Sequence, residues 1–220
     1  MNEELVELFV EKYILPGNVI SVGSDPIGLK FLKKIALRVE GHALDVSVIP
    51  TSMEFAALLK QMKVPMASID DSEVDVAVEF ASQVDFQYNY IKRESNSLVR
   101  DKMIAQSAST LIVVVEPENF VKQLSAAVPC EIAIFGWKRT LTQLEQLGKA
   151  SLRMEKEKPF KTETGLYIAD VQFDQLFTLE DVDYQARLIP GVLETGLFIG
   201  LADKIVLAGN TIEVKSREVQ

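Results

Sequence analysis

Apolar residues in this chain switch repeatedly between helical and strand spacing. Leu5, Val6, Phe9, Val10 and Tyr13 form one helical stripe, which predicts a helix over Asn2 to Tyr13, stopped by Pro16-Gly17. A β-branched run, Asn18 to Val22, leads through Gly23-Ser24-Asp25-Pro26 into a second stripe carried by Leu29, Phe31, Leu32, Ile35, Ala36 and Val39. The rhythm continues with a predicted strand over Ala43 to Ile49 and a helix over Ser52 to Met62. Strands over Val74 to Val78 and Leu111 to Val115 then flank a helix over Ser95 to Gln106. Such alternation with β-rich apolar runs predicts an α/β fold, a mostly parallel sheet flanked by helices.

Beyond Pro129 the texture changes. Strand Glu131 to Phe135, helix Lys138 to Gly148 and strand Ser151 to Met154 are followed by strand Leu166 to Asp170, helix Leu179 to Leu188 and strand Val192 to Phe198. Two strand–helix–strand units in succession predict a smaller α+β module. Lys204 to Leu207 and Thr211 to Val214 read as a returning strand and a hairpin-like end. The expected organisation is an α/β domain of residues 1–128 plus 200–220 carrying the candidate site, with an inserted α+β domain of residues 129–199. A ligand cleft is expected between them or beyond the carboxyl ends of the parallel strands.

Composition narrows the partners. Across 220 residues, 23 Lys and Arg stand against 32 Asp and Glu, a formal charge of −9. That field repels phosphate backbones and anionic lipid, which argues against nucleic-acid and membrane partners. The longest apolar runs, Leu111 to Val115 and Ile205 to Ala208, fall far short of the about 20 residues a spanning helix needs. Met1-Asn2-Glu3-Glu4 is acidic and unlike a leader, and the one cysteine, Cys130, fits a reducing compartment, so a cytoplasmic protein is expected. An apolar helix face and exposed strand ends leave room for a homodimer.

The turn after the first strand, Gly23-Ser24-Asp25-Pro26-Ile27-Gly28, is the natural place for a phosphate cradle. It is no dinucleotide fingerprint, because Asp25 fills the second glycine position, and no P-loop, because Leu29 stands where lysine is required. Asp25 followed by Pro26 reads as a helix N-cap with proline in the first turn, and Ser52, next to Thr51, reads as another cap. Hydroxyls of Ser24, Thr51 and Ser52 at these junctions are also candidate anion ligands. His42 and Cys130 are isolated from one another and from any acid cluster, which excludes a histidine triad and a zinc site. Met53, Met62 and Met66 fall at core-like positions.

Glu79, Lys92, Arg100 and Asp101 form the most informative polar set. A carboxylate near a lysine at a sheet edge suits proton abstraction beside a carbonyl, with the cation steadying the enolate. The same residues also suit a solvated helix face and a strand-end ion pair, and residue types alone leave both readings open.

Ile91-Lys92, Leu98-Val99-Arg100-Asp101-Lys102-Met103-Ile104-Ala105 and Leu188-Ile189-Pro190-Gly191-Val192-Leu193-Glu194-Thr195-Gly196-Leu197-Phe198 together resemble the type A ribose-5-phosphate isomerase family. Order and spacing match along nearly the whole chain. The resemblance implies an aldose–ketose isomerase that converts ribose 5-phosphate to ribulose 5-phosphate through an enediolate, without metal or organic cofactor. It implies Asp101 as the base, where the family has glutamate, with Lys92 as the electrophilic partner and Glu79 as a ligand for a substrate hydroxyl. Ser24, Thr51, Ser52 and Arg100 are the expected substrate-binding residues, and a phosphorylated pentose or similar small molecule the expected partner. The family's glycine-threonine-glycine-serine-threonine loop is Gly23-Ser24-Asp25-Pro26-Ile27 here, and its glycine run after the lysine is Arg93-Glu94-Ser95-Asn96. These replacements motivate a second class of function, a catalytically inactive member that binds or senses a small ligand or protein partner.

Overall fold

The computed structural model describes residues 1–173 and 178–217. The chain opens with α1 (Glu3–Tyr13), β1 (Val19–Val22), α2 (Pro26–Glu40), β2 (Ser47–Pro50) and α3 (Met53–Gln61). Next come β3 (Val74–Asp85), β4 (Tyr90–Lys92), α4 (Leu98–Ser107), β5 (Ala108–Val115) and β6 (Phe120–Val121). The middle part comprises β7 (Val128–Ile132), α5 (Trp137–Leu144), β8 (Gly148–Leu152), β9 (Met154–Glu155), β10 (Lys158–Pro159), β11 (Tyr167–Phe173) and α6 (Leu179–Leu188). The chain closes with β12 (Val192–Thr195), β13 (Leu197–Phe198), β14 (Lys204–Ala208) and β15 (Ile212–Ser216).

The expected α/β class holds. The central sheet runs β2-β1-β3-β5-β14-β15, parallel except for the last hairpin. Helices cover both faces, which is why the second half of β5 reads as an unbroken apolar run, Leu111 to Val115. On one face Phe9 of α1, Phe31 of α2 and Phe80 of β3 meet edge to face, with ring centroids 4.8 and 5.8 Å apart. On the other, Ile104 and Ala105 of α4 pack with Val113, Ile205 and Phe198. Beyond β6 the chain builds an antiparallel sheet in the order β12-β7-β11-β8, the arrangement of two strand–helix–strand units, before returning at β14. Among the described residues no helix is long and apolar enough to cross a membrane.

Caps set the helix starts. Asp25 accepts from Ile27 N–H at 2.8 Å ahead of Pro26, Ser52 from Phe55 N–H at 3.1 Å, and Ser97 from Arg100 N–H at 3.3 Å. The two capping readings of Asp25 and Ser52 are thus met. Because Ser97 is the cap, α4 begins at Leu98 rather than at Ser95, and Asp101 lies in its first turn. Gly28 lets α2 press against the preceding loop, since a Cβ there would lie 2.2 Å from the Gly23 carbonyl oxygen. Gly28→Ala is therefore expected to cost about 1–3 kcal/mol, read as a lowered midpoint in urea unfolding.

Other elements differ from the sequence expectation for identifiable reasons. β3 does not stop near Val78 but runs to Asp85, changing partners as it goes. Its first half pairs with β1 and β5, and beyond a bulge between Ala81 and Gln83 it pairs with β4 and β6. Glu79 breaks the apolar pattern without ending the strand, because a buried lysine neutralises it. The run Val192 to Phe198 divides at Gly196, with β12 on β7 and β13 on β4, so one segment stitches the two sheets together. Met53 and Met66 are exposed rather than core; Met53 starts α3 and points its N–H at Glu163.

Candidate active site

Strand register brings the first two groups together. Lys92 pairs with Ala81 across β3 and β4, so it shares a face with Glu79, two residues back along β3. Its ammonium forms an ion pair with Glu79 Oε2 and lies 3.4 Å from Asp101 Oδ2. Asp101 reaches the same point from the first turn of α4, where the partial positive charge of the helix end faces it. Ser95 Oγ donates to Asp101 Oδ2 at 2.7 Å and itself accepts from Ser97 N–H at 3.1 Å. The remaining carboxylate oxygen, Asp101 Oδ1, is buried and has no hydrogen-bond partner. An acceptor in that state carries a desolvation cost of about 1–3 kcal/mol until a donor arrives. The solvated-face reading of Asp101 and Lys102 fails: the side chains of Glu79, Lys92 and Asp101 are 0–1% exposed, and Lys102 is buried against Glu194.

Burial decides the electrostatics. It pushes the Glu79 carboxyl up to about 7 despite the pull of Lys92, and it raises Asp101 too, against the same ammonium. Burial also opposes the Lys92 charge, but Asp101 and Glu79 outweigh it and hold the amine above the ordinary lysine range. The two carboxyls therefore release protons as a pair while the cation persists. A reaction that needs Asp101 ionised should show an acid limb in kcat/KM above the ordinary aspartate value of about 4, because burial raises this carboxyl. A pH–rate profile checks this, and a limb at about 4 would contradict it. For stability the sign is opposite: folded Glu79 holds its proton more tightly than the unfolded chain does. Its contribution is complete below 4.5 and is lost as pH rises through about 7, and Glu79→Gln should flatten that slope in urea titrations.

A cavity of about 340 Å³ adjoins the buried set through Ser95, and its lining also includes Ser24, Asp25, Glu94, Asn96 and Phe160. Ser95 connects it to Asp101, and Gly23 lets the backbone pass close behind it. A Cβ at Gly23 would lie 2.6 Å from Glu79 Oε2 and 3.0 Å from Lys92 Nζ.

The structure thus unites Glu79, Lys92 and Asp101. Ser24 lies beside them, its hydroxyl 2.9 Å from that of Thr51, which donates to Val22 O at 2.8 Å. Ser52 is engaged as the cap of α3. Arg100 turns away from the set, donating to Thr51 O at 2.9 Å and to Glu163 at 3.0 Å. Residue types alone missed Ser95, Gly23 and Tyr90. Tyr90, two residues before Lys92 on β4, has a buried hydroxyl without a partner, and burial with the charges of Glu79 and Asp101 raises its pKa. The two-residue period of the strand was the available signal.

Residues 47–211 match the family described as Ribose 5-phosphate isomerase A (phosphoriboisomerase A). The chain belongs to this family. It is 35% identical over 202 residues to ribose-5-phosphate isomerase A 2 of Oceanobacillus iheyensis, covering 90% of each chain. It is 33% identical over 214 residues to ribose-5-phosphate isomerase A of Pyrococcus horikoshii, covering 94% of this chain and 93% of that one. A D-ribose-5-phosphate isomerase solved in complex with phospho-erythronic acid superposes with a TM-score of 0.90 at 29% identity, over 99% of this chain and 100% of that one. Family and fold support an isomerase function, and nothing in these likenesses favours the silent ligand sensor.

Proposed function

We propose that this chain is an aldose–ketose isomerase acting on ribose 5-phosphate or a related sugar phosphate. The carrying observation is the unpartnered Asp101 Oδ1 beside the Lys92 ammonium. In this reading Oδ1 removes the proton from C2 of the aldose, and electrons move into the C1 carbonyl to give an enediolate. Lys92 stands against the negative oxygen, where a fixed cation in a water-poor site lowers the barrier. Asp101 returns the proton to C1, one bond away, so the same carboxyl serves both carbons. The O2 proton must reach O1 in the same turnover. Glu79, held near a neutral pKa, is placed to take it from one oxygen and give it to the other. Tight enclosure keeps the enediolate from bulk water.

The test is direct measurement of the conversion of ribose 5-phosphate to ribulose 5-phosphate, beside the Asp101→Asn variant. Conversion by the native chain well above the variant supports the reading. No product above the variant's rate overturns it.

A further inference from the structure

We propose, on the isomerase reading just given, that Ser95 is a positioning residue for the base: its hydroxyl holds Oδ2 of Asp101 and so leaves Oδ1 as the oxygen that takes the proton. The aspartate does not make this choice alone. The last torsion of its side chain has a broad, roughly two-fold profile, so either oxygen can turn toward the Lys92 ammonium. In the structure both neighbours gather on one oxygen, with Ser95 Oγ at 2.7 Å and Lys92 Nζ at 3.4 Å from Oδ2, and Oδ1 is left bare. Among the described residues Ser95 is the one neutral side-chain donor on this carboxylate.

Ser95 is itself held for this task. It is buried, and its oxygen accepts the Ser97 N–H at 3.1 Å, so its single proton is directed onto the acid. The start of α4 does not depend on that bond. Ser97 caps the helix, its Oγ accepting from Arg100 N–H at 3.3 Å and its carbonyl oxygen from Asp101 N–H at 3.0 Å. What the Ser95 hydroxyl adds is the orientation of one side chain. The charged and titratable groups that face Asp101 are Lys92 and Tyr90 from β4, Glu79 from β3, and Arg100 beside it on α4. A substitution at Ser95 leaves all four in place. Burial pushes the Asp101 carboxyl up, and the Lys92 charge and the serine bond pull the other way, so loss of the serine bond removes part of that restraint.

The experiment follows ribose 5-phosphate conversion across pH in the native chain, Ser95→Ala and Ser95→Cys. On the plateau above the acid limb, Ser95→Ala should lose about 10- to 100-fold in kcat, since misplacing a reacting group by about 1 Å can cost about a hundredfold. KM should stay within about threefold of native, because the substrate's own contacts are unchanged. The acid limb of kcat/KM should rise by about one to two pH units, the worth of a hydrogen bond to a charged group. Ser95→Cys keeps nearly the same volume with a weak S–H donor, so it should move both readings the same way by less. A plateau kcat within about twofold of native in folded Ser95→Ala, or in Ser95→Cys if the alanine variant does not fold, overturns the proposal. So does a raised KM with kcat intact, which would make Ser95 a substrate ligand instead. Both results leave the isomerase reading standing. Turnover by the native chain no faster than by Asp101→Asn removes that reading and this role with it.

Discussion

Asp101→Asn is expected to lower kcat for aldose–ketose conversion by about 10²–10⁴-fold, the range that a positioned general base contributes. The amide has the volume of the carboxylate and its oxygen still accepts from Ser95, so the first turn of α4 should keep its geometry. It cannot take a proton from carbon at any useful rate. The loss should therefore fall on kcat with little change in KM, because the substrate's remaining contacts are untouched. Steady-state kinetics beside a thermal unfolding curve separates loss of chemistry from loss of fold. A variant that keeps activity within about tenfold of native would move the base to another group.

Lys92→Met is expected to be the most destabilising change in the site. It leaves Glu79 and Asp101, each enclosed, without the cation that permits their burial, and breaking a buried ion pair from one side costs about 3–5 kcal/mol. Without the ammonium both carboxyls should move further up, so the folded state would hold their protons more tightly still. The deficit should be largest in alkaline solution and shrink as acid protonates both groups, which urea denaturation at about pH 8 and about pH 5 would reveal. Adding Glu79→Gln removes one of the stranded charges and should recover a large part of the loss at the higher pH. If Lys92→Met were as stable as the native chain at both pH values, the cluster would not carry the electrostatic load assigned to it.

The two variants probe different properties of one arrangement. Lys92 is needed to let two carboxylates exist inside the protein, and on the proposed mechanism it also meets the oxygen that becomes negative. On the proposed mechanism Asp101 carries the chemistry, and its buried Oδ1 is left without a hydrogen-bond partner. Such tension between stability and activity is expected where a buried polar atom awaits a ligand.

Much of the fold was legible in the hydrophobic period. The stripes on α1 and α2 face the core as drawn, with Phe9, Phe31, Leu32 and Ile35 buried, and the caps Asp25 and Ser52 stand where local chemistry put them. The errors fell where an element's limits depend on a distant partner. β3 outran its apolar stretch because Lys92 neutralises Glu79, and the run to Phe198 split at Gly196 because its halves pair with different sheets. Arg100 lies next to Asp101 in the chain, but one step along a helix turns a side chain by about 100°. It points toward Glu163 while Asp101 points inward.

What the sequence alone determined is the class of fold, the order of its elements and the kind of chemistry available, an acid and an amine on a strand–helix framework. Helical and strand periods are local properties, written in consecutive side chains. Which acid meets which amine was decided by tertiary structure: the register of β3 on β4 and the approach of α4 enclose Glu79, Lys92 and Asp101. Enclosure then sets their proton affinities, because the cost of removing a charge from water depends on everything around it.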